Sequence, residues 1–137
     1  MKIEAVMQDN LVSIYENDSM SQGLKKLRDN HIKHLPVVDD GGRLTGIITD
    51  RDLKRASASD ATALEIHELL YLLDKVRMKE IMTSDPLTVT PDTGIGKAAG
   101  MMAEGRLGCL PVLQGDRLVG MVTRTDFLKL LAENEVE

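Results

Sequence analysis

The chain carries one long pattern twice, and this constrains its fold more than any single motif does. His34-Leu35-Pro36-Val37-Val38, a glycine-bearing turn and Leu44-Thr45-Gly46-Ile47-Ile48-Thr49-Asp50-Arg51-Asp52-Leu53 form the first copy. They return as Cys109-Leu110-Pro111-Val112-Leu113, a turn and Leu118-Val119-Gly120-Met121-Val122-Thr123-Arg124-Thr125-Asp126-Phe127. One constant spacing carries Met7 onto Met82, Ser13 onto Thr88, Leu27 onto Met102 and Pro36 onto Pro111, and after the turn it shortens by one residue. Turns absorb length changes most cheaply, so the register marks a true duplication. Two supersecondary copies can pack about a pseudo-two-fold axis, and at 137 residues they are expected to share one core.

Each copy reads as strand, helix, strand, strand, helix, which makes the fold class α+β. In the first, Leu11 to Ile14 is a short apolar strand, and Ser19 caps a helix with Met20, Leu24 and Leu27 on one face that Asn30 ends. His34–Val38 and Leu44–Ile48 form a hairpin around Asp39-Asp40-Gly41-Gly42, where glycine accepts positive φ. Thr49 then caps a helix over Asp50–Arg55. The second copy repeats the order with Thr88–Thr90, a helix near Thr93–Glu104, strands at Cys109–Leu113 and Leu118–Val122, and a closing helix from Arg124 to about Glu133. Gly94, Gly96 and Gly100 on or near that first helix suggest close helix packing. Between the copies, Ile66, Leu69, Leu70, Leu73 and Val76 fall at helical spacing, with Thr62 and Glu65 in capping-box positions. The linear division is thus a first repeat over 1–57, a linking amphipathic helix over 58–75 and a second repeat over 76–137.

A net charge of −5 argues against nucleic-acid or membrane-surface partners, which need a basic footprint. No stretch resembles a signal or spans a bilayer, so a cytoplasmic protein is expected. Cys109, the single cysteine, sits in an apolar run as an inert buried thiol. Three aromatic residues against eight methionines leave any purine pocket walled by aliphatic side chains and backbone.

Catalysis has little to stand on: no nucleophile is spaced with a base, and no P-loop, C-x-x-C or H-E-x-x-H occurs. His31 and His34 are too isolated to form a metal pair, and no metal is required. Thr49-x-x-Asp52 and Thr123-x-x-Asp126 are the candidates for chemistry. A threonine with an acid three residues on can be a capping box and nothing more. The same arrangement can also receive phosphate on helix-start N–H groups and accept ribose hydroxyls on the carboxylate.

The H-L-P-V-V, turn, L-x-G-I-I-T-x-x-D-L pattern, preceded by an apolar helix and by Val6-Met7 or Ile81-Met82, resembles a tandem cystathionine β-synthase (CBS) domain pair, or Bateman module. The resemblance spans essentially the whole chain and is nearest to stand-alone CBS proteins of the acetoin-utilisation type. It implies two inter-repeat clefts for an adenosine-containing ligand: AMP, ADP or ATP, with NAD and S-adenosylmethionine also possible. By position, Asp52 and Asp126 would hold ribose, Thr49 and Thr123 would face ribose or phosphate, and Ser13 and Thr88 would enter the clefts. Lys33 and His34 would meet phosphate where the second copy has only Gly108 and Cys109, so the clefts should be unequal. The implied role is a regulatory, non-enzymatic sensor that signals occupancy to a protein partner and forms a homodimer. The competing reading is a ligand-free interaction module in which T-x-x-D only caps helices.

Overall fold

In the computed structural model, residues 1–61 and 65–134 are described. The chain divides into two compact units, one formed by Val12–Pro86 and the other by Met1–Leu11 with Leu87–Glu137.

The Val12–Pro86 unit contains β1 (Ile14–Tyr15), α1 (Met20–Asn30), β2 (His34–Val38), β3 (Leu44–Thr49), α2 (Asp50–Ala61), α3 (Ile66–Lys75), α4 (Met78–Ile81) and β4 (Thr83–Ser84). Its sheet runs β1-β2-β3-β4, with β1 parallel to β2 and the remaining pairs antiparallel. The first helix begins as expected: Ser19 accepts from the Gln22 N–H, and the Gln22 side chain accepts from the Ser19 N–H at 2.8 Å. It ends on His31 in the left-handed region, one residue past Asn30. Ile14, Leu27, Leu35, Val37, Ile48, Leu53 and Met78 form its buried core.

The other unit contains α5 (Ile95–Gly105), β5 (Cys109–Gln114), β6 (Arg117–Thr123) and α6 (Arg124–Glu133). Its core is Ile3, Val89, Ala98, Met102, Leu110, Val112 and Val122. Each unit therefore closes around its own apolar cluster, where chain length alone suggested one shared core. Both hairpins carry the same irregularity, at Val37/Val38 and Val112/Leu113. The lost residue falls in the turn, where Gly42 (φ +81°) and Gly115 (φ +66°) take the positive-φ positions.

The segment before each copy packs with the other copy's hairpin. Ile3 and Ile95 donate to the carbonyls of Thr93 and Met1, and Met78 and Met20 donate in the same pattern to Asp18 and Val76. Gln8 pairs with Met121 on β6, and Thr83 pairs with Ile47 on β3. Glycine makes this approach possible. A Cβ on Gly120 would lie 2.7 Å from the Met7 sulfur, and one on Gly46 would lie 2.8 Å from the Thr83 carbonyl oxygen. The Met-ending segments thus pack against the hairpin of the copy they do not precede in sequence.

Several local expectations differ. The strand expected over Leu11–Ile14 is Ile14–Tyr15, and Thr88–Thr90 reduces to a single parallel bridge from Val89 to Val112. The helix expected over Asp50–Arg55 continues to Ala61, and the linking helix is the separate α3. Glu65 is its N-cap but makes no side-chain capping bond, while Thr62 lies outside the described residues. Finally, a Cβ on Gly94, Gly96 or Gly100 would meet open space, so close helix packing does not account for these glycines.

Candidate functional site

Thr49 and Thr123 are the last residues of β3 and β6, so each hydroxyl sits where a strand hands over to a helix whose first N–H groups lack helical partners. In the Val12–Pro86 unit the capping box is reciprocal: the Thr49 N–H donates to Asp52 Oδ2 at 3.0 Å, and the Asp52 N–H donates to Thr49 Oγ1 at 3.0 Å. In the other unit the Thr123 N–H and hydroxyl both donate to Asp126 Oδ2, at 2.7 and 3.1 Å. All four side chains are half-buried, which leaves them reachable from solvent.

The hairpin register gathers further candidates around Thr49. His34 is its cross-strand partner and half-buried, while the Lys33 carbonyl accepts from the Asp50 N–H at 2.9 Å. The Lys33 side chain itself is exposed. At the equivalent place in the other unit, Cys109 faces Thr123, and the Gly108 carbonyl accepts from the Arg124 N–H at 3.3 Å. His34 therefore stands across from Thr49 where Cys109 stands across from Thr123, while only the backbone of Lys33 is held there. Burial pushes the Cys109 thiol up to about 12, which keeps it protonated and unreactive.

Ser13 lies on the far side of β2 from β3, and no hydrogen bond joins it to Thr49 or Asp52 among the described residues. Thr88 is half-buried beside the Val89 bridge.

Three side chains escaped the sequence reading. Lys26 donates to the Ser13 carbonyl at 2.6 Å, placing a cation beside that strand start; the duplicated position is Met101. Arg124 donates from Nε to the Leu107 carbonyl at 3.1 Å and ties the start of α6 to the end of α5. Gln8 donates to both oxygens of Asp126, at 3.0 and 3.2 Å. The first two were findable by reading the duplicated positions for charge differences. Gln8 was not, because its partner lies at the start of α6, in the other copy.

Exposed Glu65, His67 and Glu68 place potential ligand atoms within 4.8 Å of one another at the start of α3. The sequence reading considered only His31 and His34 as a metal pair. No described helix is long and apolar enough to cross a membrane.

The chain thus holds two repeated α+β units, each with a T-x-x-D where its hairpin passes into a helix. The CBS domain model matches residues 3–59 and 78–133, and the chain belongs to the CBS domain family. A CBS domain-containing protein of Dictyostelium discoideum is 38% identical over 94% of this chain and 90% of its own length. Of several other relatives, homoserine O-acetyltransferases among them, the chain spans only 23–43% of the length. The CBS domain pair of protein MJ0100, crystallised with 5′-methylthioadenosine and S-adenosyl-L-methionine, superposes with a TM-score of 0.84 at 27% identity, covering 98% of both chains. A Vibrio cholerae protein assigned to acetoin utilization (AcuB) superposes at 0.81 with 27% identity, covering 100% of this chain and 98% of that one.

Proposed function

We propose that this chain is a non-enzymatic regulatory module that binds an adenosine-containing ligand at its T-x-x-D sites and signals occupancy to a protein partner. The observation that carries this reading is the Asp52 site. Its carboxylate accepts one hydrogen bond, through Oδ2, and among the described residues no donor occupies Oδ1, beside a half-buried histidine and helix-start N–H groups. An open carboxylate oxygen accepts ribose hydroxyls through charge-assisted bonds, and the adjacent N–H groups and His34 suit phosphate. The methylthioadenosine and S-adenosylmethionine bound by the similar CBS pair support the adenosine class. AMP, ADP and ATP are the first ligands to try, with NAD and S-adenosylmethionine next. Regulation follows from linkage, since a ligand that prefers one conformation populates it.

The competing reading, a ligand-free interaction module, draws on the capping bonds, which both T-x-x-D motifs make without any ligand. Calorimetry on protein stripped of co-purified small molecules separates the two. Binding of adenosine, AMP or S-adenosylmethionine that falls about tenfold or more in Asp52→Ala supports the sensor. Variants that only melt earlier, with binding unchanged or absent throughout, support the cap-only module.

We also infer a homodimer. Leu70 and Tyr71 on α3 are 56% and 62% exposed and Leu128 and Leu131 on α6 are 64% and 53% exposed, more apolar surface than isolated exposed residues explain. Leu73 and Val76 pack on the core of their own unit, so only part of α3 is available for a partner.

A further inference from the structure

We propose that Gln8 is a resident occupant of the second ribose acceptor: its side-chain amide holds the Asp126 carboxylate where a vicinal diol would bind, so a ligand enters there only by displacing it. The inference rests on the reading of the T-x-x-D carboxylates as ribose acceptors. It adds that the two acceptors are not equivalent and names the residue that makes them differ.

A carboxylate offers about four lone-pair sites. At Asp126 four donations converge: the Gln8 amide reaches Oδ1 at 3.0 Å and Oδ2 at 3.2 Å, and Oδ2 also takes the Thr123 N–H at 2.7 Å and the Thr123 hydroxyl at 3.1 Å. Oδ1, the oxygen turned away from the helix cap, is the one a ligand would use, and the amide has it. Asp52 accepts only the Thr49 N–H at 3.0 Å, and among the described residues no side chain reaches its Oδ1.

Placement of Gln8 is built into the fold. Its N–H donates to the Met121 carbonyl at 2.8 Å and its carbonyl accepts from the Met121 N–H at 2.9 Å, which pins the residue to β6 two residues before Thr123. Thr83 holds the same position on the other unit. It pairs with Ile47, two residues before Thr49, and its carbonyl lies against Gly46 as that of Gln8 lies against Gly120. A threonine there is too short to bridge to the carboxylate, and among the described residues the Thr83 side chain makes no hydrogen bond to Asp52. The contrast therefore comes down to one pair of duplicated positions, glutamine at 8 and threonine at 83.

Gln8 is exposed, so its side chain is free to swing aside. The diol's two hydrogen bonds then replace two that already existed, and the net gain at Asp126 is smaller than at Asp52. A ligand without a diol has no reason to displace the amide. The consequence is a two-step response, with Asp52 filling at low ligand and Asp126 only at higher ligand.

The test uses the full chain with adenosine and 2′,3′-dideoxyadenosine as probes. Asp52→Ala leaves Asp126 as the acceptor under study, and Gln8→Ala or Gln8→Thr is added to it. Gln8→Thr installs the residue that position 83 carries and keeps the backbone pairing with Met121. Adenosine should bind the double variants about five- to tenfold more tightly than Asp52→Ala alone, the worth of one exposed charge-assisted hydrogen bond. Dideoxyadenosine should bind all three alike. Equal adenosine affinities with and without Gln8 would overturn the inference, as would weaker binding in the double variants, which would make Gln8 a ligand contact. An Asp52→Ala/Asp126→Ala chain that binds adenosine as the wild type does would overturn the ribose-acceptor reading itself, and the inference with it.

Discussion

Replacing Gly46 or Gly120 by alanine tests the exchanged packing most directly, because the two sites differ in what the new methyl meets. At Gly120 the close atoms are mainly those of Met7, with sulfur at 2.7 Å and Cγ at 3.2 Å, while the Gln8 carbonyl oxygen lies at 3.1 Å. A methionine side chain can turn away. At Gly46 the methyl runs into the Met82 sulfur and also lies 2.8 Å from the Thr83 carbonyl oxygen, which belongs to the β3–β4 ladder and cannot turn. Overpacking costs about 1–3 kcal/mol, and removing a glycine's backbone freedom returns about 0.4–1 kcal/mol. Gly46→Ala should therefore destabilise by roughly 1–2 kcal/mol and Gly120→Ala by roughly 0–1 kcal/mol. Urea unfolding with a thermal melt reads both, each kcal/mol shifting the midpoint by roughly 4 °C in a chain of this size. Shortening the methionine separates the contributions: Met7→Ala should cancel the Gly120→Ala penalty, whereas Met82→Ala should relieve Gly46→Ala only in part. Gly46→Ala melting with the wild type, or full relief by Met82→Ala, would refute the close approach of the Thr83 backbone to β3.

Ile3→Ala, at a fully buried position, should cost about 2–4 kcal/mol, and hydrogen exchange should show the loss in β5 and β6 rather than in β2 and β3; the opposite pattern would place Ile3 in the core of its own repeat. The Cys109 thiol stands at about 12 when folded against 9.0 for the free group, so the unfolded chain loses its proton first, and stability should fall relative to Cys109→Val as pH rises from 9.0 toward about 12. Below that window the two should run parallel, and rapid thiol labelling of the native protein at neutral pH would contradict the burial. Sedimentation equilibrium should give a dimer that Leu70→Asp or Leu128→Asp dissociates without a large loss of melting temperature; a wild-type monomer at the same concentration would remove the dimer.

What the sequence disclosed and what it hid divide along one physical line, between contacts local to a repeat and contacts that cross from one copy to the other. The hairpin His34–Val38 with Leu44–Thr49 was legible because two short apolar runs, mostly buried, flank a turn with Gly42 at positive φ, all within a few residues. So were the Ser19 cap and the two T-x-x-D caps, each a matter of three-residue spacing. The short strands at Ile14–Tyr15 and Val89 were blurred, since so few residues carry no clear period. Gln8, by contrast, reads as an ordinary exposed glutamine until the backbone pairing with Met121 brings it to Asp126. The glycines that permit this pairing were visible in both copies of the motif, but spacing alone does not say which chain segment fills the space over them. The duplication misleads here in a specific way, because it invites treating the two T-x-x-D motifs as copies of one site. Their threonine and aspartate are alike, but the residues between them are Asp50-Arg51 at one and Arg124-Thr125 at the other, and a further difference comes from outside each motif, from Gln8 at one and from Thr83 and His34 at the other. If the two carboxylates are ribose acceptors as proposed, the segment paired to each hairpin helps set how they differ, and variants that swap residues 8 and 83 should shift adenosine affinity at Asp126 relative to Asp52; calorimetry that finds the two affinities unchanged by the swap would refute this.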